Sequence, residues 1–110
     1  MKVVVANAGD ALYFSRSTIP HVRDAKSGDA SDWLRLHTFF KHLGIYAFRR
    51  EFLLKFVRLP QAALEKAEKL EQLRALENGF AIKVWITPFD SIGVDRPEDV
   101  ELVEQILRKE

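Results

Sequence analysis

The chain has 110 residues, with 17 basic and 16 acidic side chains, a formal net charge of +1 and no cysteine. This length fits one small domain, and the balanced charge gives no indication of a nucleic-acid or membrane partner. The absence of cysteine excludes disulfides and thiolate metal sites, and no apolar run is long enough to span a bilayer.

The first part of the chain predicts a short hairpin followed by a polar loop. Residues 2–6 and 11–14 are apolar runs joined by the turn residues 7–10, as in two antiparallel strands. Residues 21–32 form the most polar stretch, and we expect a mobile surface loop there. Such a loop either borders a functional site or is a tolerated insertion. Residues 33–40 show no clear period.

The middle of the chain predicts one strand and two helices. Residues 42–48 alternate with a period of two, which places His42 and Tyr46 on one face of a strand. Residues 49–59 carry an apolar stripe and predict a helix that ends before Pro60. Residues 64–79 predict one continuous amphipathic helix with leucines on its core face and Gly79 at its end.

The last part predicts a strand over residues 81–87, a loop, and a C-terminal helix. Asp95 can cap that helix, with Glu98 three residues on and Pro97 in the first turn. Its expected core face consists of Val100, Leu102, Val103, Ile106 and Leu107. The order of strands and helices predicts an α/β fold with helices packed on a mixed sheet.

Three places can carry chemistry, and each has a plain structural alternative. His42 and Tyr46 are either half-buried polar residues or part of a ligand wall. Glu71 and Gln72 lie side by side in the predicted helix, either as ordinary surface or projecting toward a site. Asp95 is either a helix cap or, at a strand–loop–helix junction, a carboxylate placed to hold Mg²⁺ with substrate oxygens. The three histidines fit no standard zinc spacing.

Several segments in series resemble the C-terminal half of 3-deoxy-manno-octulosonate cytidylyltransferases, also called CMP-KDO synthetases. The similar segments, taken in order, are ALYFSR (11–16), HLGIYAFRREFL (42–53), LEKAEKLEQLRALENG (64–79), IKV (82–84) and IGVDRPEDVE (92–101). The order and spacing agree along almost the whole chain outside residues 21–32. The resemblance implies part of a nucleotide-diphospho-sugar-transferase-like, Rossmann-like fold, so that residues 1–110 form a single partial domain.

The resemblance implies an enzyme that transfers CMP from CTP to the sugar acid KDO and releases pyrophosphate, for lipopolysaccharide biosynthesis, with Mg²⁺ as cofactor. It implies that Asp95 is the catalytic metal ligand. It also implies that His42, Tyr46, Glu71 and Gln72 form the wall that holds the sugar acid. Arg16 in YFSR is expected to meet an anionic group of the substrate.

The family's nucleotide-binding loop and its second metal aspartate have no counterpart here, so we expect the isolated chain to be inactive. It is then a fragment, a split-gene half or a truncated product, and it pairs as a homodimer or with a companion N-terminal half. An open sheet edge would favour such association. The alternatives are a non-catalytic interaction or dimerisation module of the same fold and an enzyme for another acid sugar. We expect a cytoplasmic location.

Overall fold

The fold is built on a three-stranded antiparallel sheet formed by the first 41 residues. The computed structural model describes residues 1–26 and 28–109. Strand β1 (Lys2–Val5) pairs with β2 (Ala11–Ser15) in the predicted hairpin, and Val3 lies opposite Phe14. Strand β3 (Phe40–Lys41) pairs with the other edge of β1. The strand order is therefore β2-β1-β3, and the hairpin prediction is confirmed.

The hairpin turn also holds the segment that was predicted as a strand over residues 81–87. Gly9 adopts a φ of +92°, and its carbonyl accepts a hydrogen bond from the Val84 amide at 2.8 Å. Within the described residues this pairing amounts to one isolated bridge between Asp10 and Lys83. The strand prediction is therefore wrong beyond that bridge, because among the described residues only Gly9 and Ala11 exchange backbone hydrogen bonds with this segment, through Val84 and Ile82.

One small core lies where helix α4 (Gln72–Glu77) packs against β2. Its buried members come from the hairpin, from α4 and from the residues just before that helix: Val3, Ala11, Phe14, Leu70 and Leu73. Leu73 has no exposed surface at all. The apolar run of β1 and the leucines of the helix thus meet as their patterns predict.

The remaining helices are short, and several predicted boundaries move. Helix α1 (Ala30–Leu36) begins inside the predicted loop of residues 21–32, with Asp29 accepting the Ser31 amide as its cap. Residues 42–48 form no strand, so that prediction is wrong; Gly44 turns the backbone with a φ of +79°. Helix α2 (Arg50–Phe56) is the central part of the helix predicted over residues 49–59.

The helix predicted over residues 64–79 is two helices, α3 (Ala63–Glu68) and α4, separated by a break at Lys69. Lys69 adopts the left-handed conformation, with φ 54° and ψ 45°. Arg16 stabilises the break, because its Nε donates to the Glu68 carbonyl at 2.7 Å and its Nη2 to the Lys69 carbonyl at 3.1 Å. These carbonyls would otherwise lack partners at a helix end.

Helix α5 (Pro97–Leu107) begins one residue later than predicted. Arg96, not Asp95, is its N-cap residue, and Asp99 rather than Glu98 accepts the Asp95 and Arg96 amides, at 3.1 and 3.0 Å. None of its described side chains is buried, so the predicted core face does not face a core. None of the described helices is both long enough and apolar enough to cross a bilayer.

The left-handed residue at the α3–α4 break gives a test of this fold. We expect Lys69→Val to lower the free energy of unfolding by about 1–2 kcal/mol, because a β-branched side chain is strained in that conformation. Lys66→Val, at an exposed helical position of α3, is the matched control and should cost about 0.5 kcal/mol. Urea denaturation of the two variants measures the difference, and equal losses would contradict the assigned backbone conformation.

Candidate functional site

His42 and Tyr46 form a hydrogen-bonded pair just after β3. His42 Nε2 lies 2.5 Å from the Tyr46 hydroxyl. The two side chains meet because the backbone turns at Gly44, whose φ of +79° suits glycine best. The His42 ring also packs edge-on against Phe14, with ring centroids 5.2 Å apart, and its amide donates to the Met1 carbonyl. The pair is therefore anchored to the core of the sheet.

Both members of the pair are held in their neutral forms. Burial, and then the positive charge of the chain's N-terminus, lower the pKa of His42 below its ordinary value. Burial raises the pKa of Tyr46 to about 12, and the negative charge of Glu71 adds to this effect. At neutral pH the site consequently presents an uncharged imidazole and a protonated phenol, which suit hydrogen bonding to a polar ligand.

Glu71 and Gln72 lie at the start of α4, immediately after the break at Lys69. Glu71 is exposed, whereas Gln72 is buried, with only 7% of its surface accessible. The Gln72 side-chain nitrogen is buried without a hydrogen-bond partner in the described chain, and so is His42 Nδ1. Unpaired buried polar groups are costly, so these two atoms are places where a polar ligand could supply the missing partner.

Arg16 directly follows β2, and its side chain reaches the end of α3. Besides its two bonds to backbone carbonyls, its own amide donates to the Glu68 carboxylate at 3.0 Å, and the Ser15 hydroxyl donates to the same carboxylate at 2.5 Å. These hydrogen bonds, that of Ser15 first, lower the pKa of Glu68. In this structure Arg16 therefore has a structural role, which fixes the chain directly before Glu71.

The pair formed by Glu65 and Arg74 is a feature that sequence reasoning missed. Arg74 Nη2 lies 2.6 Å from Glu65, the two side chains are only 15% and 6% exposed, and the guanidinium packs over the Phe56 ring at 4.9 Å. The Arg74 hydrogen bond lowers the pKa of Glu65. Helical periodicity does not reveal this pair, because the two residues meet only after the break at Lys69 folds α4 back toward α3.

Asp95 lies apart from these residues. Its side chain is exposed, and within the described chain no hydrogen bond or ion pair joins it to any of the other predicted site residues. In that same part of the chain no three histidine or acidic side chains are close enough together to hold a metal ion. Asp95 can therefore contribute a single carboxylate to a metal site, with the other ligands coming from elsewhere.

The structure thus pairs His42 with Tyr46, and the negative charge of Glu71 acts on the Tyr46 phenol. Gln72 follows Glu71 at the buried start of α4. Arg16 donates hydrogen bonds to the Glu68 and Lys69 carbonyls just before that start. Two surface grooves of about 450 and 300 Å³ lie elsewhere and contain none of the predicted site residues.

The charge of Glu71 offers a direct test of the wall. In a Tyr13→Phe background we expect Glu71→Gln to lower the pKa of Tyr46 from about 12, while burial keeps it above 10.0. A spectrophotometric titration of the remaining phenol measures this pKa. Glu77→Gln is the control, because the Glu77 charge acts on Tyr13, and it should leave the pKa of Tyr46 unchanged. Because the folded-state pKa is raised, Tyr46 contributes stability that is complete below pH 10.0 and is lost as the pH rises toward about 12. An unchanged pKa would place Glu71 away from Tyr46.

Comparisons with known proteins agree on one family. Residues 1–86 match the family model described as cytidylyltransferase. A 3-deoxy-manno-octulosonate cytidylyltransferase of Bacteroides thetaiotaomicron is 51% identical over 107 residues, covering 97% of this chain and 42% of the relative. A protein of the same name from Nitratidesulfovibrio vulgaris is 53% identical over 99% of this chain and 41% of its own length.

A solved structure shows the same backbone arrangement. The structure of a CMP:2-keto-3-deoxy-manno-octonic acid synthetase complexed with CTP matches 98% of this chain and 41% of its own, with a TM-score of 0.84 and 39% identity. The predicted α/β, nucleotide-sugar-transferase-like fold class is thereby confirmed. The chain spans about two fifths of the length of the relatives it matches.

Proposed function

The chain belongs to the cytidylyltransferase family, and from this premise we propose that it supplies the sugar-acid-binding and metal-binding part of a CMP-KDO synthetase. The complete enzyme would transfer CMP from CTP to KDO, release pyrophosphate and serve lipopolysaccharide biosynthesis. The observation that carries the proposal is the neutral His42–Tyr46 pair beside Glu71, together with two buried nitrogen atoms that lack partners.

The polar wall suits a polyhydroxylated sugar. Glu71 accepts hydrogen bonds through its exposed carboxylate, while the neutral imidazole and the phenol of the pair can each donate or accept. The unpartnered Gln72 nitrogen donates, so a sugar hydroxyl could satisfy it. Rigid donors and acceptors on short, packed elements orient a small ligand with little loss of entropy.

Arg16 would contribute on the same side, next to the break that precedes Glu71. Its Nε and Nη2 are bonded to backbone carbonyls, whereas Nη1 has no hydrogen bond among the described residues. A guanidinium with one free edge can still meet a carboxylate. We therefore keep Arg16 as the proposed partner of the sugar's anionic group, in addition to its structural role.

Asp95 fits a Mg²⁺ ion that is shared with the substrate. Its carboxylate is exposed and makes no hydrogen bond within the described chain, while its amide is held by Asp99. Mg²⁺ commonly binds one or two carboxylates and completes its octahedron with substrate phosphates and water. Bound there, the ion would neutralise developing charge on the phosphate oxygens. Asp95 would orient one ligand position from the rigid start of α5.

The experiment that tests the proposal is reconstitution. Product formation from CTP, KDO and Mg²⁺ is measured with this chain alone and after mixing with the N-terminal half of a family member. We expect no product from the chain alone and CMP-KDO after mixing. Failure to form product in a mixture that contains the folded chain would favour the alternative, a non-catalytic interaction module of the same fold.

The wall residue Gln72 gives a more specific prediction. Gln72→Ala should raise the KM for the sugar acid in the reconstituted enzyme about tenfold, which corresponds to one lost hydrogen bond, and leave the KM for CTP unchanged. Gln61→Ala, at an exposed position, is the control and should change neither constant. An unchanged KM for the sugar would remove Gln72 from the wall.

A further inference from the structure

The last quarter of the chain carries an apolar surface that nothing in the described chain covers. Trp85 is 90% exposed and Phe89 80% exposed, and they belong to an extended segment that continues into α5. We call the following set the 85–107 surface: Trp85, Ile86, Phe89, Ile92, Val94, Val100, Leu102, Ile106 and Leu107, all of them exposed. Their number along one short segment, rather than any single side chain, indicates an interaction surface.

The whole chain is more open than a complete domain of its length. Its radius of gyration is 16.6 Å, whereas a compact domain of this length has a value of about 13 Å. It exposes 8929 Å², whereas a compact monomer of the same mass exposes about 6,200 Å². The excess, roughly 2,700 Å², exceeds the roughly 800 Å² that each partner buries in a standard protein–protein interface.

The excess belongs to the whole chain, and nine of the 19 exposed large apolar side chains among the described residues fall within residues 85–107. A large contact that includes this segment accounts for the excess better than an ordinary encounter between folded proteins. The apolar pattern of α5 agrees, since Val100, Val103 and Ile106 recur at the spacing of a helix face that is normally buried. Within the described residues, segment 85–87 makes no backbone hydrogen bond to another strand, because the pairing with the hairpin ends at Val84. A partner could therefore add a strand to this segment and pack apolar side chains against α5.

We propose that the 85–107 surface is the docking site for the polypeptide that supplies the rest of the cytidylyltransferase fold. The chain matches its relatives over 97% and 99% of its own length but covers only 42% and 41% of theirs, so most of that fold lies outside it. The TM-score of 0.84 over 98% of the chain indicates that this part is already arranged as in a complete family member. The inference deepens the proposed function by locating the companion's binding surface, and it requires no reaction.

Docking can be tested without substrates. The chain, in a Trp33→Phe background so that Trp85 is its only tryptophan, is co-expressed with the segment of the Bacteroides thetaiotaomicron relative that it does not match. We expect the two polypeptides to co-purify at 1:1 and the Trp85 emission to shift to shorter wavelength relative to the chain alone. The variant Phe89→Ser/Ile106→Ser should weaken the complex at least tenfold, whereas Leu34→Ser, at an exposed leucine of α1, should not.

Two outcomes would overturn the proposal. If the companion segment does not co-purify, or binds both variants equally, the 85–107 surface is not its docking site. If the chain instead forms a homodimer that Phe89→Ser/Ile106→Ser dissolves and the companion does not displace, the occupant is a second copy. Docking without CMP-KDO formation would leave this proposal standing and refute only the proposed reaction.

Discussion

Asp95→Asn is expected to lower the rate of CMP-KDO formation by the reconstituted enzyme about a thousandfold, equivalent to about 4 kcal/mol. The physical reason is the loss of the one negative charge that this part of the chain would offer to a bound Mg²⁺. Asparagine keeps the shape of the side chain, and the Asp95 side chain makes no hydrogen bond within the described residues, so the fold should be unaffected. Initial rates at several Mg²⁺ concentrations measure the effect.

The matched control for Asp95 is Glu98→Gln, which removes an exposed carboxylate three residues away. Its only ion pair is a loose contact of 3.9 Å with Arg96, among the described residues. We expect a rate within about twofold of the unmodified enzyme, as for surface charges remote from a reaction. Equal losses for the two variants would show a general charge effect, and full turnover by Asp95→Asn would refute the metal role.

Glu65→Gln is expected to lower the free energy of unfolding by about 3 kcal/mol or more, because it leaves the Arg74 guanidinium buried beside a neutral amide. The pair joins α3 to α4 through two hydrogen bonds of 2.6 and 2.7 Å. Arg74→Met should cost a similar amount, since it strands the Glu65 carboxylate. The double variant Glu65→Leu/Arg74→Met should recover most of the loss, because no unpaired charge remains. The single variant Glu65→Leu completes the double-mutant cycle, and urea denaturation of all five proteins measures the differences.

The control for the buried pair is the exposed one between Glu104 and Arg108, whose side chains are 56% and 79% exposed. Glu104→Gln should cost less than about 0.5 kcal/mol. The dependence on pH provides a second check. Since the pKa of Glu65 is lowered in the folded state, its contribution is complete above the ordinary glutamate pKa and is lost as the pH falls through the folded value. If Glu65→Gln lowered the free energy of unfolding by the same amount at acidic and at neutral pH, the ion pair would be contradicted.

What the sequence predicts well in this chain is local. The hairpin follows from two apolar runs and a four-residue turn, and the structure confirms it. The break at Lys69 does not follow from local pattern, because the group that stabilises it is Arg16, more than fifty residues earlier. In an unbroken helix Glu65 and Arg74 would lie on opposite faces, about 13.5 Å apart along the axis. Their pairing was therefore invisible to helical periodicity.

The residues of the candidate site were predicted from family resemblance, and the strand geometry predicted for His42 and Tyr46 is wrong. His42 and Tyr46 were placed together as alternate positions of a strand, in which they would be about 13 Å apart. They meet at 2.5 Å because the chain turns at Gly44. In a similar way the apolar pattern of residues 85–107 identifies a face that avoids water, but it does not say which polypeptide covers that face. Site roles came from family resemblance, which carries chemistry that periodicity cannot.

The division of one predicted helix into two has a consequence for how the wall comes into being. Helices α3 and α4 have six residues each, whereas an isolated helix needs about 12–15 residues to persist in water. Neither helix is stable in isolation. Both depend on the sheet, which contributes the hydrogen bonds of Arg16 and Ser15 and the apolar side chains of the core. Glu71 and Gln72 are thus put in place by contacts with residues that are distant in the sequence. The site opens only when that packing opens, so amide exchange at Leu73 should be as slow as the slowest in the chain.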